Sequence, residues 1–339
     1  MSNNSQAHGY AIGAKDTISC IFSLSGTELT DREASLFKES NPFGFILFKR
    51  NCESPSQLKS LIDSIKSTVG RDCPILIDQE GGRVQRLRSP YWREYKPMKN
   101  FGDLYNNDPE KALEDLRFET LRLADELVDI GVNVNCAPVL DLIFDGAHDI
   151  IGDRSFSSNP DVVGRLGLSV CRHFLSAGIT PIIKHIPGHG RATGDSHLEL
   201  PYVGASYDDL SSLDFSPFRE VSQSEIGRSV WAMTAHIVYE HIDSKHPVSV
   251  SDRAIADVIR KDIGFDGILI GDDLDMKALD SYGDAPTKAL KSLDAGCDLA
   301  LYCAGEFDDM NLLSEHLPKI SDDTVTRLNN AHVTSDVAV

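Results

Sequence analysis

The stretch from Lys184 to His197, which reads KHIPGHGRATGDSH, holds the most informative set of proton-transferring side chains in the sequence. Asp195 stands two residues before His197, and a carboxylate at that spacing can orient an imidazole and raise its basicity. The glycines and the proline favour a loop, and the segment from His185 to Pro201 is long enough to act as a lid. The pattern predicts a general acid/base on a loop or, taken alone, a turn with an exposed histidine.

The three histidines of this stretch, together with Asp195, also suit a metal ion. Zinc takes imidazole nitrogen and carboxylate oxygen ligands. A Pro-Gly step separates His185 from His189, so these two are not the pair that one helical face presents. We therefore expect no metal site.

A second set of carboxylates follows another strand pattern. The residues GDDLDM begin at Gly271, directly after a buried run, so Asp272 is carried by a rigid element. A carboxylate held in that way suits a nucleophile, and the alternative is a cap on the next helix N-terminus. Asp273 and Asp275 fit the capping role.

Polar groups typical of a binding site follow a third strand pattern, in the residues IDQEGGRVQR that begin at Ile77. Asp78 is placed to accept two hydroxyl groups of a ligand, and the glycine pair that follows lets the backbone turn sharply. Arg86, and Arg154 within IGDRSF, suit a polar ligand, although an arginine taken alone is more often part of a surface ion pair. Neither a phosphate-binding glycine loop nor the GxSxG motif occurs, so the chemistry depends on carboxylates, histidines, lysine and arginine.

Eight buried runs of strand type alternate with amphipathic helical patterns along the chain. The predicted strands are Ile18–Leu24, Gly44–Phe48, Ile75–Asp78, Val132–Cys136, Ile179–Lys184, Val230–Ala235, Gly267–Gly271 and Asp298–Tyr302. Polar caps followed by proline open helices near Pro109 and Pro160. This alternation predicts a parallel sheet, either closed as a barrel or open and doubly wound.

The positions of the polar residues decide between these two architectures. The C-terminal ends of different strands carry, or are soon followed by, polar residues, which are Asp78, Asp141, Lys184-His185, His236 and Asp272. A closed barrel gathers those ends at one mouth, whereas an open sheet spreads them along a crevice. We predict an α/β fold, a single TIM-type (β/α)8 barrel over residues 1–339 with a polar C-terminal helix and tail over about 321–339.

Composition limits the partners and the compartment. With 33 basic and 52 acidic residues the net charge is −19, which disfavours nucleic acids and anionic membrane surfaces. Seven cysteines show no paired spacing, which indicates free thiols in a reducing compartment. The N-terminus has no signal-peptide pattern, and no apolar run approaches the roughly 18 residues of a membrane span. We expect a cytoplasmic monomer that binds neither nucleic acid nor membrane.

Four motifs together resemble glycoside hydrolase family 3, and in particular its short, single-domain bacterial β-N-acetylglucosaminidases of peptidoglycan recycling. They are IDQEGGRVQRL (Ile77–Leu87), IGDRSF (Ile151–Phe156), KHIPGHG…DSH (Lys184–His197) and GDDLDM (Gly271–Met276). Each motif follows a predicted strand, and the order along the chain is that of the family.

The resemblance implies a role for each matching residue. Asp272 would be the catalytic nucleophile, His197 the general acid/base and Asp195 its partner. The N-acetylglucosamine of the −1 subsite would be bound by Asp78, Arg86, Arg154, Lys184 and His185. The family cleaves terminal non-reducing β-linked N-acetylglucosamine from muropeptides with no cofactor and no metal, so we expect the same small carbohydrate substrate here.

The residue types suit this chemistry. A retaining glycosidase needs a carboxylate that attacks the anomeric carbon and a second group that protonates the leaving oxygen and then activates water. An imidazole, with a pKa of about 6.5, can do the second task near neutral pH. Two alternatives stay open. One is transfer of the sugar to phosphate, because a histidine acid/base, unlike a carboxylate, would not repel the anion. The other is a non-catalytic sugar-binding barrel, which the presence of Asp272 and His197 disfavours.

The chain departs from the family pattern at two positions. Gly271 stands where Ser or Thr is usual, and Asp275 stands where Ser is common. Many members carry a second domain that supplies the acid/base, and 339 residues leave no room for one. That absence agrees with a loop-borne histidine.

Overall fold

Eight short strands, each parallel to its neighbours, form the central sheet of the computed structural model. They are Ile18–Phe22 (β1), Pro42–Leu47 (β2), Ile75–Ile77 (β3), Val134–Asn135 (β4), Thr180–Ile186 (β5), Trp231–Thr234 (β6), Leu269–Ile270 (β7) and Ala300–Leu301 (β8). They lie in the order β7-β6-β5-β4-β3-β2-β1-β8, and a parallel bridge from Ile270 to Leu299 joins the two ends. The sheet therefore closes into a (β/α)8 barrel, which confirms the predicted fold class. The structure describes residues 13–144, 146, 149–194, 196 and 198–331.

Alternate residues along the strands belong to two separate apolar clusters. Ile21, Ile46 and Leu76 lie in one cluster, whereas their strand neighbours Phe22 and Phe45 lie in the other. Successive side chains of a strand point to opposite faces of the sheet. The first cluster therefore fills the barrel, and the second packs the strands against the surrounding helices.

The helices lie between successive strands and after the last one. They are Asp31–Ser40 (α1), Pro55–Val69 (α2), Met98–Tyr105 (α3), Pro109–Ile130 (α4), Pro160–Ser176 (α5), Ser216–Ser222 (α6), Ala285–Ala295 (α7), Phe307–His316 (α8) and Asp322–Asn330 (α9). Shorter turns of 3-10 type are Ala14–Asp16, Lys49–Asn51, Gly152–Arg154, Gly227–Ser229, Val248–Val250 and Lys277–Tyr282. A helical turn at Tyr207–Asp209 leads into Leu210–Asp214, which has π-type hydrogen bonding like Ala254–Asp262.

The starts of three helices follow the capping pattern seen in the sequence. The side chains of Ser54, Asp108 and Asn159 accept backbone N–H groups of α2, α4 and α5, and each of these helices has a proline in its first turn. Helix α4 ends at Gly131, whose φ of 89° is the left-handed conformation that glycine adopts without strain. These local signals explain why helices open near Pro109 and Pro160, as expected from the sequence.

A small antiparallel hairpin, Gln79–Gly81 with Val84–Gln85, follows β3 at the mouth of the barrel. Gln79 is buried, and its side-chain oxygen accepts the backbone N–H groups of Arg86 and Leu87 at 2.9 and 3.0 Å. The hairpin is thereby fixed in a position that returns Arg86 towards the end of β3.

A charged cluster lies at the other end of the barrel, where β8 begins. The buried Asp298 accepts hydrogen bonds from Arg260, Arg327 and the Thr324 hydroxyl at 2.8, 2.8 and 2.9 Å. It also accepts the backbone N–H of Leu269 at 2.8 Å. Because Thr324 and Arg327 belong to α9, Asp298 ties the C-terminal helix to the barrel. Within the described ranges, no helix is long and apolar enough to cross a membrane.

Candidate active site

Asp78 is the first residue after β3, and two cations hold its carboxylate at the barrel mouth. Lys184 Nζ of β5 lies 2.8 Å from Asp78 Oδ1, and Arg86 Nη2 lies 2.9 Å from Asp78 Oδ2. The structure therefore brings together three of the predicted substrate-binding residues, although Lys184 is 106 positions from Asp78 in the chain.

Glu80, which the sequence analysis did not select, forms the second half of this cluster. Its carboxylate accepts two hydrogen bonds from Arg154, from Nε and Nη2, each at 2.9 Å. Lys184 Nζ also lies 2.6 Å from Glu80 Oε1. Asp78 and Glu80 are two residues apart, so an extended backbone turns both side chains to the same face. That spacing is the signal that could have identified Glu80.

The cluster contains three cations and two carboxylates, which leaves a net charge of +1. Burial alone raises the pKa of both carboxyls, but Lys184 and Arg86 hold the pKa of Asp78 well below its usual range. Arg154 and Lys184 likewise lower the pKa of Glu80 to about 2. Both acids are therefore ionised near neutral pH, and one further carboxylate would neutralise the site.

His185 follows Lys184 within β5, and its ring contacts Asp141. The imidazole Nδ1 lies 2.7 Å from Asp141 Oδ2, and the backbone N–H of His185 donates to Asp141 Oδ1 at 3.1 Å. Since β5 continues to Ile186, His185 belongs to a strand and not to the loop. Its orientation is accordingly set by the sheet.

His189 lies behind His185, with its ring centroid 5.5 Å from that of His185 in an edge-to-face arrangement. Burial, with the neighbouring His185, lowers the pKa of His189 to about 4, so the ring is neutral at physiological pH. Its Nε2 lies 3.1 Å from the hydroxyl of Ser196, which is buried. Asp195 and His197, the predicted acid/base pair, lie outside the described residues.

Asp272 follows β7 at the same mouth. Its backbone N–H donates to the hydroxyl of Thr234, the last residue of β6, at 3.3 Å. Its Oδ1 accepts the N–H of Asp273 at 2.8 Å, and the Asp273 carbonyl oxygen lies 3.0 Å from Nε2 of His236. These bonds connect the turn that carries Asp272 to β6 and to the segment after it.

Asp273, next to Asp272, is partly buried. Its Oδ1 accepts the backbone N–H groups of Cys303 and Asp275 at 3.0 and 3.2 Å. Burial, with a contribution from the Asp272 charge, outweighs these bonds and raises the pKa of Asp273 to about 6. The bond to Asp275 spans two residues of a turn and is not the helix cap that the sequence suggested, because the next helical turn, Lys277–Tyr282, has no side-chain cap.

All the described candidate residues line one pocket of about 360 Å³. That volume lies within the range of roughly 300–1,000 Å³ usual for small-molecule sites. Its polar lining includes Asp78, Glu80, Arg86, Arg154, Lys184, His185 and Asp272, and its apolar lining includes Phe48, Met233, Met276 and Leu301. The arrangement can bind a ligand rich in hydroxyl groups and present the Asp272 carboxylate to it. Among the described residues, no group of three or more His, Cys, Asp or Glu side chains is arranged to hold a metal ion.

The sequence model of the glycosyl hydrolase family 3 N-terminal domain matches residues 18–335. The chain belongs to glycoside hydrolase family 3. A similar protein, a β-hexosaminidase from Methylobacillus flagellatus, is 35% identical over 307 residues, which are 91% of this chain and 86% of that protein. A β-hexosaminidase from Neisseria gonorrhoeae is 37% identical over 281 residues, which are 83% of this chain and 76% of that protein.

Two solved structures have the same fold as this chain. NagZ from Neisseria gonorrhoeae in complex with N-trifluoroacetyl-D-glucosamine superposes with a TM-score of 0.84 and 32% identity, covering 94% of this chain and 92% of that one. A family 3 β-N-acetylglucosaminidase from Paenibacillus sp. superposes with a TM-score of 0.82 and 28% identity, covering 98% of this chain and 61% of that one. The predictions of family 3, of the barrel and of a glycoside hydrolase with β-hexosaminidase relatives are confirmed.

Proposed function

We propose that this family 3 enzyme is a retaining β-N-acetylhexosaminidase that releases terminal, non-reducing β-linked N-acetylglucosamine from peptidoglycan fragments. The observation that carries the proposal is the pocket in which Asp272 stands beside Asp78, Lys184 and His185. The β-hexosaminidase relatives support the sugar class, as does the glucosamine derivative bound in the similar NagZ structure.

In the first step, the Asp272 carboxylate attacks the anomeric carbon of the bound sugar. His197 gives its proton to the glycosidic oxygen, the bond from carbon to that oxygen breaks, and the aglycone leaves as an alcohol. The sugar is then held as an ester of Asp272. Lys184, Arg86 and Arg154 donate hydrogen bonds to the sugar, and Asp78 accepts them from its hydroxyls.

In the second step, water attacks the anomeric carbon from the side that the aglycone left. His197, now neutral, takes a proton from that water, and the carboxylate of Asp272 is released. Asp195 holds the imidazole in the productive tautomer throughout. Two displacements at the same carbon retain its β configuration.

The charge of the site supports Asp272 as the nucleophile. The ion cluster of Asp78, Glu80, Arg86, Arg154 and Lys184 carries +1, so an ionised carboxylate in the same pocket balances it. An ionised carboxylate is the form that a nucleophile needs. A neutral sugar then enters a pocket whose own charges are matched.

The cytoplasm is the proposed compartment. All seven cysteines are free thiols, and six of them are buried. Free thiols persist in reducing compartments, where peptidoglycan fragments imported for recycling would be met. Action as a monomer on such fragments completes the proposal.

The test is the release of nitrophenol from an aryl β-N-acetylglucosaminide in buffer that contains a chelator. We expect the wild type to be active and Asp272→Ala to lose on the order of 10³-fold or more in kcat. Asp275→Ala, an exposed acid three residues away, is the matched control and should stay near wild type. Equal activity of Asp272→Ala and Asp275→Ala would place the nucleophile elsewhere.

The role of His197 has its own test. His197→Ala should impair substrates with poor leaving groups, such as a disaccharide, far more than activated aryl glycosides, because only the former need a proton on the leaving oxygen. His241→Ala, at an exposed histidine, is the control. Equal losses on both substrate types would exclude His197 as the acid. Product analysis with added phosphate distinguishes hydrolysis from transfer to phosphate, which would yield a sugar 1-phosphate.

A further inference from the structure

Asp141 is a fully buried carboxylate beside the pocket, and the steps above give it no role. Its Oδ2 lies 2.7 Å from His185 Nδ1, while its Oδ1 accepts the backbone N–H groups of His185 and His189 at 3.1 and 2.6 Å. A parallel bridge between Val139 and Lys184 keeps the two chain segments side by side. Asp141 is therefore held rigidly against the imidazole.

This contact determines which ring nitrogen of His185 carries a proton. Burial raises the pKa of Asp141, but His185 and the donated hydrogen bonds outweigh it and lower that pKa below its ordinary value. An ionised carboxylate can only accept hydrogen bonds, so Nδ1 of His185 must be the donor. In the neutral imidazole the other nitrogen, Nε2, is then an acceptor.

His185 Nε2 adds an acceptor to the one that Asp78 supplies in the pocket. The His185 ring lines the pocket, and because Nδ1 is occupied by Asp141, Nε2 is the nitrogen that remains for a ligand. The cations Lys184, Arg86 and Arg154 can only donate, whereas each sugar hydroxyl both accepts and donates. Acceptors beside these donors are therefore required to satisfy the sugar.

We propose that Asp141 is a positioning residue that fixes His185 as a hydrogen-bond acceptor for a sugar hydroxyl. The inference rests on the proposed function, since it assigns a hydroxyl-bearing ligand to the pocket. Carboxylates that orient a histidine in this way contribute about 10- to 100-fold to the function of the histidine at metal sites, and we expect the same scale here.

The substitution Asp141→Asn tests which ring nitrogen of His185 carries the proton, because asparagine keeps the shape of the aspartate side chain. Both backbone N–H donors point at Oδ1, so the amide oxygen of asparagine stays there and its NH2 group faces His185 Nδ1. A donor at that position favours the opposite tautomer, with the proton on Nε2. The pocket then offers a donor where it offered an acceptor.

The first measurement is a two-bond ¹H–¹⁵N correlation spectrum of protein labelled with ¹⁵N-histidine, recorded at pH 8.5. The His185 signal is identified by its loss in His185→Gln. We expect Nδ1 protonated and Nε2 unprotonated in the wild type, and the reverse in Asp141→Asn. Asp214→Asn removes another buried carboxylate, paired with Arg191, and should leave the His185 tautomer unchanged. A proton on Nε2 of the wild type would overturn the proposal, whether or not the variants fold.

The second measurement is a double-mutant cycle on an aryl β-N-acetylglucosaminide. Asp141→Asn should lower kcat/KM by about 10- to 100-fold, and in a His185→Gln background it should have less than about a twofold effect. Losses that multiply would mean that Asp141 acts only on the fold and would overturn the proposal. If the wild type does not hydrolyse the glycoside, the proposed function fails, and the spectrum alone still decides the role of Asp141.

Discussion

Replacing Glu80 by glutamine should weaken both the fold and the site, since Glu80 holds two cations at once. Glu80 Oε1 accepts from Arg154 Nη2 and Lys184 Nζ, and Oε2 accepts from Arg154 Nε. In Glu80→Gln the amide oxygen can keep the first two bonds, but its NH2 group then faces the N–H of Arg154. The variant loses one charge-assisted bond, worth about 1.5–3 kcal/mol, and gains a contact between two donors.

Glu80→Gln should therefore lower the free energy of unfolding by about 3 kcal/mol, which is at the lower end of the range for breaking a buried ion pair. An unfolding entropy of about 2.1 cal/mol/K per residue gives roughly 0.7 kcal/mol/K for 339 residues, so Tm should fall by about 4 °C. Displacement of Arg154 and Lys184 should also lower kcat/KM by on the order of 10- to 100-fold. Calorimetry and the aryl glycoside assay measure the two effects.

The matched control is Glu94→Gln. Glu94 is half exposed and lies 2.9 Å from Arg88, and such surface pairs contribute about 0–1 kcal/mol. The pKa of Glu80 is lowered to about 2 in the folded protein, so its contribution to stability is present above about pH 4.5 and is lost as the pH falls towards 2. The Tm gap between wild type and Glu80→Gln should narrow over that interval. Equal effects of Glu80→Gln and Glu94→Gln at pH 7 would refute the reasoning.

Three further predictions concern the stability of the fold. Asp298→Ala leaves the partly buried Arg260 and Arg327 without their carboxylate, so it should lower the free energy of unfolding by about 3 kcal/mol. The kcat/KM of the remaining folded enzyme should be unchanged, and a changed kcat/KM would contradict this. Gly81→Ala would place a Cβ against the Lys96 carbonyl oxygen at a φ of 104° and should lower the free energy of unfolding by about 1–3 kcal/mol. Gly26→Ala, which places its Cβ in open space, is the control and should change stability little. Equal Tm values for the two variants would contradict the prediction. The pKa of Asp273 is raised from 3.8 to about 6, so the wild-type free energy of unfolding falls as the pH rises through that interval. Asp273→Asn should therefore have a higher Tm than the wild type at pH 8 and the same Tm at pH 4. An equal Tm difference at both pH values would contradict this linkage.

The barrel and the gathering of its polar residues could be predicted because both depend on short-range patterns. Each of the eight predicted strands overlaps an observed one, since a strand covered on both faces reads as a continuous apolar run. Their bounds were less accurate. β7 was predicted as Gly267–Gly271 but spans Leu269–Ile270, and the side chain of Asp298 takes the Leu269 N–H that a neighbouring strand would otherwise bond.

Contacts between distant residues could not be predicted in the same way. Glu80 meets Arg154 across 74 positions, and Asp141 meets His185 across 44, so only the folded chain, which brings these distant segments together, reveals the contacts. Helix α1 was not among the predicted helices, although the sequence carries a start signal for it. Thr30 and Glu33 form a capping box, in which the Thr30 hydroxyl accepts the Glu33 N–H at 3.2 Å.

The two ends of the barrel give the protein separate regions for engineering. The cluster around Asp298 ties the last helix to the strands at the end opposite the pocket, whereas the cluster around Glu80 lines the pocket. In barrels of this type the loops at the C-terminal ends of the strands vary with the reaction, while the opposite face maintains the scaffold. Stabilising substitutions can therefore be sought around Asp298, and substitutions that alter sugar or aglycone selectivity around the mouth. Because the two regions are far apart, the effects of the two sets should add independently.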